Sequence, residues 1–302
     1  MVQGSLCSCA TMVEKVRREK EKAVKVSLVQ FCVGPNPAEN ADALEALIRE
    51  TAAADAPQLV LTPEASNVIQ PDREVMMAQA LPLEQDPVFA MGQRLAAELS
   101  VFLCLGSVLV AGEIPGSMVN RQILFSPMGE VINSYDKIHL FDVEIGDGQH
   151  YGESEIFTPG EEALLSALPD TPAVLGHTIC YDLRFPALHQ ALAMAGANVL
   201  LIPAAFTQTT GRAHWHVLLR ARAIETGSWV LAAGTCGEHA GERRTYGHSC
   251  VVSPWGEIVA ELASETEPGI LAFDLDFEKV GAARKAIPAL DHARTFHLSS
   301  SH

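Results

Sequence analysis

The sequence predicts an α/β protein made of two matching halves, each a sheet covered by helices, packed sheet against sheet as a four-layer α-β-β-α sandwich. Three observations predict it. Short runs of Val, Ile and Leu alternate with helical patterns, the signature of βαβ units. That order occurs twice, each time closing on a hairpin turn. Hydrophobic residues make up 48% of the 302 residues, enough for a sizeable core in one large domain or two small ones, and no linker interrupts the middle.

In the first half, short Val/Ile/Leu runs predict strands over residues 25–31, 58–61 and 101–110, with helical patterns between them over 38–54 and 87–99 and a hairpin turning at Met128 and Gly129. The second half repeats this plan. Strands are expected over 173–179, 198–202 and 229–233, helices over 186–195 and 213–227, and a hairpin at Trp255 and Gly256. Pro186 suits the first turn of its helix, where its missing N–H costs nothing. The domain is drawn over residues 24–276, with 277–302 as a C-terminal tail at an oligomer interface. Residues 1–23 carry Cys7, Cys9 and the charged stretch 14–22, with no apolar segment that a secretory signal would need, and are expected to be a flexible extension.

Charge and cysteine usage exclude several functions. The 21 basic against 37 acidic residues leave a net charge of −16, and a polyanion partner such as nucleic acid needs a basic surface. No apolar run reaches the roughly 18 residues that span a bilayer. Cysteines at positions 7, 9, 32, 104, 180, 236 and 250 show neither CxxC pairs nor zinc spacing, which suggests reduced thiols and a cytoplasmic protein. Among the 11 histidines, His214 and His216 are the closest pair, but residues two apart on a helix point to different faces and cannot chelate together. No metal or cofactor is expected. Neither Gly-x-Ser-x-Gly nor a Walker-type phosphate loop occurs.

The segment GHTICYDLRFP at 176–186 carries the chemistry, because it sets one thiol, Cys180, where a buried strand is expected to pass into a helix. The N–H groups and positive end of that helix would favour a thiolate and later an oxyanion. A lone Cys after an apolar run is more often an inert core thiol. Two further segments change that weighting. LVLTPEA at 59–65 ends a strand on Glu64, and SYDKIHLFD at 134–142 ends another on Lys137.

With these three segments in this order, the chain resembles the nitrilase, or carbon–nitrogen hydrolase, superfamily. The match is dense from about Val24 to Asp276, and it is similar to the Nit branch of omega-amidases and deaminated glutathione amidases through AFTQTTGRAHW at 205–215, RARAIE at 220–225 and YGHS at 246–249. The resemblance implies the four-layer sandwich and a Glu64, Lys137, Cys180 triad. It also implies that Glu153, in YGES at 151–154, positions the lysine and substrate. The chemistry agrees with these residue types. A carboxylate at Glu64 can take the thiol proton and return it to the leaving nitrogen. Lys137 and the Tyr181 N–H can stabilise the oxyanion, and a thioester on Cys180 is then hydrolysed.

For the substrate, Arg184 is placed to pair with a carboxylate, or alternatively to play a structural role, bridging to Asp182 or a loop carbonyl. The resemblance places Phe206 and Thr210 on an acyl pocket. The expected substrate is a small 2-oxo acid amide, deaminated glutathione or 2-oxoglutaramate. His216 and Ala187 stand where that branch usually has Glu. An N-carbamoyl amino acid or aliphatic amide hydrolase would use the same three residues. A silent binding or scaffold member is the reading from another class, and the presence of all three triad residues argues against it. The resemblance further implies a homodimer or homotetramer paired through the helices after Cys180 and around Trp215.

Overall fold

The computed structural model describes residues 23–146, 148 and 150–300, so the expected extension at 1–23 lies almost wholly outside the described residues. The first sheet contains β1 (Ala23–Gln30), β2 (Leu59–Leu61), β3 (Phe102–Ala111), β4 (Met118–Phe125) and β5 (Val131–Asp136). Short hairpin strands β6 (Asp142–Val143) and β7 (Tyr151–Gly152) come next along the chain. The second sheet contains β8 (Leu165–Ala167), β9 (Val174–His177), β10 (Val199–Leu201), β11 (Trp229–Ala232), β14 (Cys250–Val252) and β15 (Ile258–Glu261), with a separate hairpin of β12 (Cys236–Glu238) and β13 (Arg244–Tyr246). Strand β16 (Gly269–Asp276) returns to the first sheet, antiparallel to β1.

The halves match in topology. Strands β1, β2 and β3 run parallel and continue into antiparallel β4 and β5, while β9, β10 and β11 run parallel and continue into antiparallel β14 and β15. Period-two alternation of side chains explains the layers. Val24, Val26, Leu28, Leu59, Leu61, Val199, Leu201, Trp229 and Leu231 point into one buried cluster between the sheets. Their neighbours point the other way. Val29 and Val60 join the cluster under α1 (Pro37–Asp55) and α3 (Pro87–Leu99), and Leu200 and Val230 join the one under α4 (Pro186–Met194) and α5 (Gln208–Thr226).

Local chemistry sets the helix ends. Helix α3 starts on Pro87 because Asp86 caps it, accepting from Val88 N at 2.9 Å and Phe89 N at 3.0 Å. Helix α5 starts at Gln208, ahead of the expected residue 213, because the Thr207 hydroxyl accepts from Thr210 N at 3.3 Å. Two helices escaped the sequence reading, α2 (Arg73–Gln79) and α6 (Glu278–Ala286). The second lies within the expected C-terminal tail and buries Val280 and Ala283. No helix among the described residues is long and apolar enough to cross a membrane.

Candidate active site

Three strand ends converge at the seam between the halves. Glu64 lies beyond the carboxyl end of β2, Lys137 directly follows β5, and Cys180 lies beyond the carboxyl end of β9. In open α/β sheets this is the edge where ligands bind. The turn after β2 is locked onto β3, with Thr62 N donating to Cys104 O at 3.0 Å and Ser107 N to Pro63 O at 3.2 Å. Gly106 makes this approach feasible, since a Cβ there would lie 1.9 Å from the Thr62 carbonyl.

Glu64 is buried and its carboxylate is fully engaged. Oε1 accepts from Lys137 Nζ and Asn120 Nδ2, both at 2.9 Å, and Oε2 accepts from Ala205 N at 2.7 Å. The Cys180 thiol lies beside the same carboxylate, and each shifts the other's pKa. Burial pushes the Glu64 pKa up, but the Lys137 charge and these hydrogen bonds outweigh it and hold the carboxyl below its ordinary value. Lys137 is 1% exposed. Its ammonium also donates to both Glu153 oxygens at 2.9 Å, and the two carboxylates keep it charged against the cost of burial. Glu153 Oε2 in turn accepts from Phe141 N at 2.8 Å, which fixes the loop that carries it.

The surroundings of Cys180 correct one expectation. No α-helix begins at the thiol: residues Cys180–Arg184 form a 3-10 turn, and α4 starts only at Pro186. Cys180 itself has φ +48, a left-handed conformation that aims its side chain out of the strand end. Burial and the adjacent Glu64 carboxylate raise its pKa well above the ordinary thiol value. The resting group is therefore a thiol beside an ionised carboxylate that can take its proton. The Tyr181 N–H donates to no acceptor among the described residues.

Asp182 holds this turn to the lysine loop, a role that leaves no place for the salt bridge weighed for Arg184. Its carboxylate accepts from Tyr135 Oη at 2.7 Å, Ile179 N at 2.8 Å and His139 N at 3.1 Å, and pairs with His139 Nδ1 at 2.7 Å. Arg184 instead lies 5.2 Å over the Phe206 ring and 3.2 Å from His214 Nδ1.

All eight residues named from sequence, Glu64, Lys137, Glu153, Cys180, Tyr181, Arg184, Phe206 and Thr210, line one inner chamber of about 20 Å³. It adjoins an outer cavity of about 640 Å³ through the shared wall of Glu64, Phe141, Glu153, Ala205 and Arg243. Sequence reasoning missed Asn120, Ala205, Asp182 and Arg243. Away from this site, His216 points from α5 toward His248 and Glu261 while His214 turns to Arg184. The donor atoms of His216, His248 and Glu261 lie within 4.8 Å of one another, and Glu261 Oε1 accepts from both rings.

A thiol, a carboxylate and an ammonium are thus buried together at the strand ends, in a fold and with a site that comparison with known proteins places among the carbon–nitrogen hydrolases. Residues 25–285 match the carbon–nitrogen hydrolase family, and the chain belongs to that family. It is 37% identical over 282 residues to the deaminated glutathione amidase of Yersinia enterocolitica, covering 90% of this chain and 94% of that one. An omega-amidase of Xenopus tropicalis is 34% identical over 265 residues, covering 87% and 92%. The fold is similar to that of the Caenorhabditis elegans NitFhit protein, with a TM-score of 0.81 and 31% identity, over 90% of this chain and 65% of that longer one.

Proposed function

We propose that the protein hydrolyses the amide bond of a small 2-oxo acid amide through a thioester on Cys180. One observation carries the reading: the Glu64 carboxylate touches both the thiol and Lys137, with opposed pKa shifts that leave the thiol protonated and the carboxyl ionised. Groups pushed apart in this way hold complementary acid and base roles. Glu64 takes the Cys180 proton as sulfur attacks the carbonyl carbon. The oxyanion is met by Lys137 and the Tyr181 N–H. Collapse breaks the C–N bond, and the proton on Glu64 passes to the leaving nitrogen. Glu64 then deprotonates a water that attacks the thioester, and returns that proton to sulfur as the acid leaves. Glu153 keeps Lys137 aimed.

The similarity to deaminated glutathione amidases favours deaminated glutathione over 2-oxoglutaramate. Arg184 is the candidate partner of the 2-oxo acid carboxylate, with Phe206 and Thr210 along the acyl chain. Seating that chain requires Arg184 to leave the Phe206 face, because a chamber of about 20 Å³ holds about one water. No step calls for a cofactor. Met194 on α4 and Val217 and Ile224 on α5 expose large apolar side chains, with Val217 and Ile224 on one helix face, and support pairing with a second copy there. A cytoplasmic setting fits the five free cysteines among the described residues.

The test is product release from deaminated glutathione, 2-oxoglutaramate, an N-carbamoyl amino acid and an aliphatic amide by the wild-type and Cys180→Ala proteins. Turnover of the 2-oxo amides that vanishes in the variant is expected. Turnover confined to the carbamoyl or aliphatic compounds would overturn the substrate class. Light scattering should give a dimer or tetramer, and a monomer would remove the proposed interface.

A further inference from the structure

The wall shared by the two chambers holds a cation that no group among the described residues answers. Arg243 lines both cavities. Among the described residues its buried Nε has no hydrogen-bond partner and its guanidinium no ion-pair partner. Nearby arginines are committed: Arg73 pairs with Glu155, Arg212 with both oxygens of Glu265, and Arg244 with Glu238. Acidic residues outnumber basic ones 37 to 21 in this chain, yet none among those described reaches Arg243.

The loop that presents Arg243 is stiff. It joins β12 to β13 through a tight reversal with positive φ at Gly241 and Glu242, and a Cβ at Gly241 would meet Pro71 at 2.7 Å. His239 closes its base, donating from its backbone N to Arg243 O at 2.8 Å, with its ring held between the Val33 carbonyl at 2.8 Å and the Thr245 hydroxyl at 2.7 Å. The backbone that carries Arg243 is thereby fixed, and its planar guanidinium fork suits capture of a carboxylate.

The chemistry says which part of the substrate meets it. Glu64 lines both chambers and, in the proposed mechanism, hands its proton to the departing nitrogen, so the leaving group faces the outer cavity. That cavity, about 640 Å³ against about 20 Å³ inside, has room for a leaving group far larger than ammonia. Arg184 lines only the inner chamber. We infer that Arg243 recognises a carboxylate carried on the leaving amine, so that the preferred substrate bears a carboxylate on each side of the scissile amide, one read by Arg184 and the other by Arg243. This rests on the amidase reading and sharpens its substrate class: an amide releasing only ammonia leaves Arg243 unanswered, whereas one releasing a dipeptide satisfies it.

The experiment compares kcat/KM for deaminated glutathione, which releases Cys-Gly, with that for 2-oxoglutaramate, which releases ammonia, in wild-type, Arg243→Met and Arg243→Lys proteins. The ratio of the two should fall about tenfold to hundredfold in Arg243→Met, the loss expected for one charged hydrogen-bonded contact, mainly through KM, and recover in part in Arg243→Lys. A ratio within about twofold of wild type, with both substrates turned over, overturns the inference and leaves the amidase reading standing. A wild-type protein that hydrolyses neither overturns the 2-oxo amide substrate class on which the inference rests. Calorimetric titration with Cys-Gly and its C-terminal amide then decides separately: the free acid should bind at least about tenfold better, and equal binding refutes the subsite. Thermal melts confirm that each variant is folded.

Discussion

Replacing Lys137 by Met keeps the length of the side chain and removes its charge, and the site geometry sets the size of the damage. The ammonium lies 2.9 Å from Glu64 Oε1 and from both oxygens of Glu153. Without it, two carboxylates face each other across a buried site with no cation. Breaking such a pair costs on the order of 3–5 kcal/mol of stability. Two losses act on the rate. An oxyanion donor disappears, worth about 10²–10³ in kcat. Glu64 also loses the charge that holds its pKa down, so burial dominates, it takes up a proton, and a base contribution of about 10²–10⁴ goes with it. Lys137→Met should therefore lower kcat by about 10⁴-fold or more. The double variant Lys137→Met with Glu153→Gln removes one uncompensated carboxylate and should regain part of the stability and none of the rate. Steady-state kinetics and urea unfolding read both quantities. A single variant within about tenfold of wild-type kcat would refute the reasoning.

The same geometry fixes three further outcomes. Because the folded Glu64 pKa lies below its ordinary 4.5, the base form persists as pH falls, and the thiol, above its ordinary 9.0, adds no rising limb; kcat/KM should be flat from about pH 5 through neutrality and fall only below that. A rate that climbs about tenfold between about pH 6 and 8 would instead report a thiolate nucleophile. Asp182→Ala strips partners from Tyr135, His139 and Ile179 and should cost on the order of 3–5 kcal/mol in urea unfolding, with a loss under about 1 kcal/mol refuting its role. Iodoacetamide should label Cys32, half-buried and with its pKa lowered by the Cys236 thiol, ahead of the buried, protonated Cys180; peptide mapping that finds the reverse order would contradict the assigned thiol state.

The layers were legible because each half writes its strands as short apolar runs whose alternate residues serve two cores, as Val60 and Leu61 do. Helix α3 was read to the residue because Pro87 and its patterned face mark it locally. Glu64 and Lys137 were legible as charged groups just beyond apolar strands, and Glu153 only through the family resemblance. The hidden part lies in long-range pairing. Asn120 and the Ala205 N–H meet Glu64 across separations of 56 and 141 residues, and no local pattern encodes that meeting. Asp182 read as part of a motif, but its hold on Tyr135 and His139 depends on the two sheets facing each other. The helix start at Pro186 was read from the sequence, but the positive φ at Cys180 and the 3-10 turn that set that helix apart from the thiol were not. Arg243 gave no signal at all, since its meaning comes from the partner it lacks among the described residues.

The central claim is that Cys180 carries the acyl group, and rapid acid quenching of the wild-type enzyme during turnover of deaminated glutathione, with peptide mass mapping of the quenched protein, tests it most directly. The account predicts an acyl adduct on the peptide containing Cys180, absent from Cys180→Ala, that decays with the turnover rate. Full turnover with Cys180 unmodified at every quench time, or an adduct on another residue, would contradict it.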